Sequence, residues 1–290
     1  MLSKILIIIF FGAIIKRIFN KPQIEGLELF LLKIGIPTTL FTFVFKNDLN
    51  NVFNQSYAIS YLVAFAISCF ITISIFFKKK ISEISIRTLC GTYANAAIYT
   101  MPVMTFILGD PKAAVLGNIL QIVFIQPAFI TIFSILQKRK SSIFKNIITS
   151  PIVFMPCLGL VLNYFNINLN PAILEPIEVI ASASAPLSLL VFGMTLGSFK
   201  ISKANKDIIL VSIMKNIIHP STAFIVGKYF FYLQNYWLKG LLISTAAPTA
   251  FVAYLLSKRF SDEGEFVRDA VALTSMVSIL TLIIIYAVGI

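Results

Sequence analysis

The sequence contains little charge: Asp, Glu, Lys and Arg make up 12% of its 290 residues, about half the fraction that is usual in a soluble domain. Acidic side chains are the scarcer kind, with 12 Asp and Glu against 24 Lys and Arg, and histidine occurs once. Hydrophobic residues make up 58% of the chain, and its mean hydropathy is +0.91. A soluble fold is therefore excluded, and the sequence predicts an all-α integral membrane protein.

Cysteine is also rare. The three cysteines lie in apolar segments without a Cys-X-X-Cys pair, so neither a disulfide framework nor a thiolate metal site is indicated. The Gly-X-Ser-X-Gly motif and Asp-rich motifs are absent as well, which disfavours intramembrane hydrolases and isoprenoid-type transferases. We therefore expect no enzymatic activity, no cofactor, no metal and no nucleic-acid partner.

Long apolar runs, in contrast, are abundant and are separated by short polar gaps. A membrane-spanning helix needs about 17–25 mostly apolar residues. The sequence predicts ten such spans, at residues 2–19, 24–45, 56–77, 86–108, 113–136, 146–165, 172–198, 207–231, 237–257 and 266–290.

Basic residues concentrate in alternate gaps between these spans. The odd-numbered gaps hold 17 of the 24 Lys and Arg residues, and short loops rich in Lys and Arg stay in the cytoplasm. We therefore expect a multi-pass protein of the plasma membrane (the bacterial inner membrane) with both termini extracytoplasmic. We interpret the excess of basic residues as the signal that sets the orientation of the spans, and we expect a minor role in contacting anionic membrane lipid.

The first five predicted spans resemble the last five. Pro37 in "GIPTTLFTFVF" and Pro186 in "SAPLSLLVFGM" occupy matching places in spans 2 and 7, and Pro102 and Pro248 lie near the middle of spans 4 and 9. An odd number of spans per half gives the two halves opposite orientations, as in many secondary transporters. The predicted inverted repeats are residues 1–140 and 141–290.

Pro102 and Pro248 predict interruptions of spans 4 and 9, because proline removes an amide donor and clashes with the preceding turn. Span 4 is expected to break around Asn95–Pro102. Irregular backbone at membrane depth is tolerated only where it lines a cavity or is buried in protein, and two facing breaks would present helix N-termini that attract anions. We therefore predict an anion site, in which Asn95 supplies an amide and Thr249 a hydroxyl.

Five segments, read in order along the chain, resemble the auxin efflux carrier family. They are "NAAIYTMP" from Asn95, "QIVFIQ" from Gln121, "PLSLLVFGMTLG" from Pro186, "KNIIHP" from Lys215 and "APTAFVAYLLSKRF" from Ala247. The chain is similar to bacterial-type members of this family, whose inverted-repeat fold resembles that of bile-acid symporters. The resemblance implies ten transmembrane helices in two inverted five-helix repeats, with broken, crossing helices 4 and 9.

The resemblance also implies a mechanism. Helices 1, 2, 6 and 7 would form a scaffold, and helices 3–5 and 8–10 a transport domain that moves as an elevator. The implied substrate is a small organic anion such as malate, malonate or an auxin-like acid. Tyr99 and Thr100 differ from the residues of plant carriers, which disfavours indole-type substrates. A homodimer formed through span 2 or span 7 is a further implication.

The predicted substrate-binding residues come from the two predicted breaks and from the motif-like segments near them. Gln121 and Gln126 are alternatives within this set, because side chains five apart on an α-helix do not both face one site. A sodium-coupled organic-anion symporter and a transport-fold membrane sensor stay open as other functions. The full set is Asn95, Tyr99, Pro102, Gln121, Gln126, Pro248 and Thr249.

Few charges are expected inside the membrane. Of the acidic residues, we expect only Glu175 and Glu178 to enter a span, near its outer end, so the buried carboxylates of many pumps are missing and the coupling ion stays open. Lys215 and His219 lie four residues apart on one helix face: we expect Lys215 to reach the inner interface and His219 to bond a carbonyl, with attraction of substrate or proton transfer as the alternative. Lys33 is expected to extend to the interface or to be paired.

Overall fold

The computed structural model describes residues 1–48, 52–136, 150–198 and 205–288. These residues form twelve helices and no strand. The helices are α1 Leu2–Ile15, α2 Lys21–Lys46, α3 Gln55–Ile75, α4 Ile81–Thr92, α5 Ala96–Leu108, α6 Lys112–Leu136, α7 Pro151–Tyr164, α8 Pro171–Ser198, α9 Lys206–Phe230, α10 Asn235–Ala246, α11 Phe251–Phe260 and α12 Gly264–Ala287.

Six of these helices (α2, α3, α6, α8, α9 and α12) have 21 to 28 residues and are apolar enough to cross a membrane. The predicted class is therefore confirmed: the protein is an all-helical, multi-pass membrane protein. Predicted spans 4 and 9 are each made of two shorter helices, α4 with α5 and α10 with α11. The count of ten spans and their inverted repeat stay predictions.

Two of the sequence predictions involve residues outside the described ranges. One is the predicted junction between repeats at residues 140 and 141. The other is the orientation, because six of the basic residues in the odd-numbered gaps lie there, Lys138, Arg139, Lys140, Lys145, Lys200 and Lys203.

The chain divides into two compact units, which are described separately. The first unit comprises Met1–Asn54, Ala97–Ile119 and Ser142–Ser198. The second unit comprises Gln55–Ala96, Leu120–Ser141 and Phe199–Ile290.

Close helix contacts organise the first unit. In the contact between α1 and α8, a Cβ on Gly12 would collide with the carbonyl of Leu190, and a Cβ on Gly193 with that of Ile9. Glycine lets the two backbones approach this closely, as in many membrane helix pairs.

The end of α2 is held by an amide from α7. The Asn163 side-chain amide donates to the carbonyls of Val44, Phe45 and Asn47 at 2.9, 2.8 and 2.9 Å. These are carbonyls that the end of a helix otherwise leaves without a partner, so this contact fixes α7 against α2.

Two acidic residues are buried inside long apolar helices. In the first unit, Glu28 of α2 is 5% exposed and accepts a hydrogen bond from the Thr195 hydroxyl at 2.6 Å. In the second unit, Asp269 of α12 is 3% exposed and accepts one from the Arg268 Nε at 2.9 Å. The expectation that only two other glutamates enter spans is therefore wrong, because a hydroxyl or guanidinium partner compensates part of the cost of burying a carboxylate.

The other unusual charges of the first unit lie nearer the surface. Glu178 pairs with the Lys46 ammonium at 2.9 Å, while Glu175 is exposed. Lys33 is exposed as well, in the π-helical turn Leu31–Gly35 of α2.

In the second unit, one arginine joins the middle of α4 to the starts of two other helices. The Arg87 guanidinium of α4 contacts Asp207 of α9 at 3.1 Å and Glu263, which precedes α12, at 2.9 Å. Lys79 reaches the same Asp207 at 2.8 Å. Arg87 is 5% exposed, and the Asp207 and Glu263 carboxylates compensate the cost of burying its charge, so the cluster connects α4 with the starts of α9 and α12.

Candidate substrate site at two helix interruptions

The first interruption separates α4 from α5. Helix α4 ends at Thr92, Tyr93 is extended with φ −78° and ψ 113°, and α5 begins at Ala96. Pro102 lies beyond the gap, in the first turn of the α-helical stretch Met101–Leu108. The gap therefore comprises Tyr93, Ala94 and Asn95, at the N-terminal end of the segment in which the break is predicted, and Pro102 lies beyond it, inside α5.

The second interruption separates α10 from α11. Helix α10 ends at Ala246 and α11 begins at Phe251, with Ala247 and Ala250 in extended or irregular conformations. Pro248 lies inside this gap and is buried. Here the proline does mark the interruption itself.

The two gaps pair with each other. The Asn95 N–H donates to the Pro248 carbonyl at 2.8 Å, and the Ala250 N–H donates to the Tyr93 carbonyl at 3.2 Å. Ala94 and Thr249 stand opposite each other as an antiparallel β-bridge. Unpaired backbone groups are costly at membrane depth, and this short ladder satisfies two of the donors and two of the acceptors that the breaks release.

Thr249 holds the bridge in place. Its side chain is 0% exposed, its hydroxyl donates to the Cys90 carbonyl near the end of α4 at 2.5 Å, and its N–H donates to the Thr274 hydroxyl oxygen at 3.2 Å. The hydroxyl that we predicted for the substrate thus caps a helix end. Thr274 was missed by the sequence reading because no local motif surrounds it.

Two glutamines of α6 reach the first interruption. The Gln121 Oε1 accepts from the Ala94 N–H at 3.1 Å, and the Gln126 Oε1 accepts from the Tyr93 hydroxyl at 3.4 Å. The expectation that they cannot face one site is wrong, because Gln121–Ile125 is a π-helical turn. The i to i+5 spacing of a π-turn brings residues five apart to the same face.

The side-chain amide of Gln121 has a buried donor group that makes no hydrogen bond within the described residues. The residue is 2% exposed, and its Nε2 has no hydrogen-bond partner among the described residues. Asn95 is half-buried, between the buried Ala94 and Ala96. The first interruption therefore combines an unpaired amide N–H group with a partly accessible amide, which are neutral donors suited to a carboxylate.

A lysine reaches the end of α10 at the second interruption. Lys215 lies in the π-helical turn Met214–Ile218 of α9, is 0% exposed, and donates from Nζ to the Thr245 carbonyl at 2.6 Å. The next residue, Asn216, donates from Nδ2 to the Ala246 carbonyl at 3.4 Å. The expectation that Lys215 reaches the interface is wrong, because carbonyls at a helix end offer it a partner inside the protein.

His219 lies one turn further along α9. It is 0% exposed, and neither ring nitrogen has a hydrogen-bond partner among the described residues. The expected carbonyl bond is therefore not formed within that part of the chain.

The two remaining predicted residues belong to the first unit. Tyr99 is 1% exposed and packs edge-on against Phe192 of α8, with 5.0 Å between ring centroids. Pro102 is buried in α5.

A separate cavity of about 410 Å³ lies between α1 and α8 in the first unit. Its lining is entirely apolar and includes Ile7, Phe11 and Pro186. Since a carboxylate needs polar partners when it leaves water, this cavity is unsuited to an organic anion.

Comparison with known proteins identifies the class. The profile of a family described as "Membrane transport protein" matches residues 136–286, half of the chain. An uncharacterized transporter of Methanocaldococcus jannaschii is 22% identical over 297 aligned positions, which cover 96% of this chain and 94% of the relative.

The fold and the match define a membrane transporter. The chain belongs to the membrane transport protein family, the family of the auxin efflux carriers, as the five motif-like segments predicted.

Proposed function

We propose that this protein is a secondary transporter of a small organic anion, a carboxylate such as malate or malonate or an auxin-like acid. The transporter class follows from the family, and the anion is inferred from the chemistry at the paired interruptions.

The observation that carries the proposal is that the Nε2 of Gln121 has no hydrogen-bond partner in the part of the chain that the structure describes. This donor is buried beside Ala94, whose N–H is bonded to the same side chain. A buried amide donor without a partner costs about 1–3 kcal/mol, so a ligand that accepts from it would gain that free energy. Asn95, at the end of the same gap, supplies a second amide.

The division of labour among the helices belongs to the same proposal. A scaffold of predicted helices 1, 2, 6 and 7 would support a transport domain of helices 3–5 and 8–10, which carries the paired interruptions across the plasma membrane as an elevator. The second compact unit agrees with this division in containing both interruptions and Gln121, and it differs in that residues 97–119 of predicted helices 4 and 5 belong to the first unit. Both termini would be extracytoplasmic.

Sodium-coupled symport is a second candidate, because carbonyl and hydroxyl oxygens at broken helices are typical ligands for a cation. A membrane sensor with a transporter fold would bind the anion without moving it. The two alternatives differ from the main proposal in ion dependence and in the presence of flux.

The direct experiment measures current from purified protein in liposomes adsorbed on a solid support. Jumps of mono- and dicarboxylates are applied with and without sodium at two pH values. Radiolabelled uptake in the same liposomes covers electroneutral exchange.

We expect current or uptake for one class of carboxylate. Binding of a carboxylate without current or uptake would favour the sensor, and flux that requires sodium would favour the symporter. No binding and no flux across the panel would contradict the proposal.

A further inference from the structure

Lys215 is an ammonium group deep inside the second unit. Its side chain is 0% exposed, although burying a charge is costly unless the charge is compensated. Among the described residues no carboxylate forms an ion pair with it. The charge must therefore be stabilised by something other than an acid.

The compensating groups are carbonyls at the end of a broken helix. Nζ lies 2.6 Å from the Thr245 carbonyl, and Thr245 is the penultimate residue of α10. The last carbonyls of a helix lack intrahelical partners and carry about half a negative charge between them. Lys215 thus neutralises the negative helix end that the second interruption creates.

Two further carbonyls near this helix end are bonded to neighbouring side chains, so that the Thr245 carbonyl is the oxygen that Lys215 contacts among the described residues. Asn216 holds the Ala246 carbonyl with its amide, and its own carbonyl accepts from the Thr281 hydroxyl at 3.3 Å. The π-turn Met214–Ile218 places Lys215 and its neighbour together at the end of α10. Backbone carbonyls of this kind are the ligands that replace the hydration shell of monovalent cations in membrane proteins.

We propose that the Lys215 ammonium occupies a monovalent-cation position at the end of α10, as a cation tethered to the protein. The second interruption is then held together without a bound sodium or potassium ion. The inference rests on the proposed secondary transporter and specifies its coupling: flux needs no free cation at this position.

The test removes the tether and offers free cations. Lys215→Ala leaves the carbonyls of Thr245 and Ala246 in place and vacates the position of the ammonium. The melting temperature of the purified variant is measured in sodium chloride, potassium chloride and choline chloride of equal concentration. Lys228→Ala is the matched control, since Lys228 is an exposed lysine of the same helix.

We expect the melting temperature of Lys215→Ala to rise by about 3–6 °C in sodium or potassium chloride relative to choline chloride. Wild type and Lys228→Ala should show no such difference. An equal melting temperature of Lys215→Ala in all three salts would overturn the inference, and so would an equally large response of wild type.

Poor folding of the alanine variant is itself informative. If Lys215→Ala or Lys215→Ser is recovered folded from sodium or potassium chloride but not from choline chloride, the free cation has replaced the ammonium. Failure in all three salts would contradict the inference. Because melting needs no substrate, these outcomes are independent of whether an organic anion is transported.

Discussion

The two helix interruptions share one short backbone ladder, but the helix ends that they create are neutralised differently. At the end of α4, the Cys90 carbonyl receives a neutral hydroxyl from Thr249. At the end of α10, the Thr245 carbonyl receives the ammonium of Lys215. The first interruption also has a half-buried Asn95 and an unpaired Gln121 donor.

This difference indicates a division of roles. At the second interruption, the Lys215 ammonium of the protein itself contacts the helix end. The residues of this interruption are buried. The first interruption has spare hydrogen-bonding capacity and partial access. We therefore infer that the anion binds at the first interruption and that the second maintains the geometry of the first.

The largest effect is expected for Asn95→Ala. A hydrogen bond to a charged ligand contributes about 1.5–3 kcal/mol, so transport should fall by about 10- to 100-fold. Uptake in proteoliposomes measures this, at equal protein density and melting temperature. Gln234→Ala removes an exposed amide before α10 and should leave uptake unchanged. Full uptake by Asn95→Ala would assign the anion to another place.

Thr249→Val should act on stability. The substitution keeps the shape of the side chain but removes the hydroxyl that bonds the Cys90 carbonyl, which should lower the free energy of unfolding by about 1–2 kcal/mol. Thermal melting in detergent measures the change, and Thr249→Ser should restore most of it. A valine variant as stable as wild type would mean that the hydroxyl is dispensable for holding α4.

The two prolines of the predicted breaks offer a matched pair. Pro248 lies inside a gap, whereas Pro102 lies in the first turn of a helical stretch. Pro248→Ala should reduce transport by about threefold, because the interrupted helix gains a residue able to continue it. Pro102→Ala should have the smaller effect. Initial uptake rates measure both effects. A larger loss for Pro102→Ala than for Pro248→Ala would contradict the idea that a proline inside a gap matters more than one inside a helix.

The smallest effect is expected for Asn216→Ala. Its bond to the Ala246 carbonyl is long, at 3.4 Å, so the loss of unfolding free energy should be about 0.5 kcal/mol. The melting temperatures of Asn216→Ala and Lys215→Ala compare the contribution of an amide with that of an ammonium at the same helix end. A larger loss for Asn216→Ala would contradict the central role of Lys215.

The sequence predicts the all-helical membrane class because apolar runs of spanning length are a strong signal. It also indicates the neighbourhood of the interruptions, since Pro248 and Asn95 lie in the gaps that the structure contains. It does not predict which side chains form hydrogen bonds with the backbone at these gaps. Pro102 falls inside a helix because proline can start a helical turn as readily as it can end one.

Most of the remaining differences have one physical cause. π-Turns insert one extra residue into a helix, and three contacts depend on them: those of Gln121, Gln126 and Lys215. A sequence reading that assumes 3.6 residues per turn assigns such side chains to the wrong face. The buried position of Glu28 was not predicted for a different reason: its partner Thr195 is 167 residues distant in the chain.

The measurement that tests the central claim most directly is the affinity of the transported carboxylate for wild type and for Gln121→Glu, by titration calorimetry. Glutamate keeps an acceptor for the Ala94 N–H but replaces the unpaired N–H donor by an oxygen that repels an anion. We predict at least about tenfold weaker binding, together with a lower melting temperature because the new carboxylate is buried, so the two affinities are compared at a temperature at which both proteins are folded. Equal affinity in the two proteins would contradict an anion site at the first interruption.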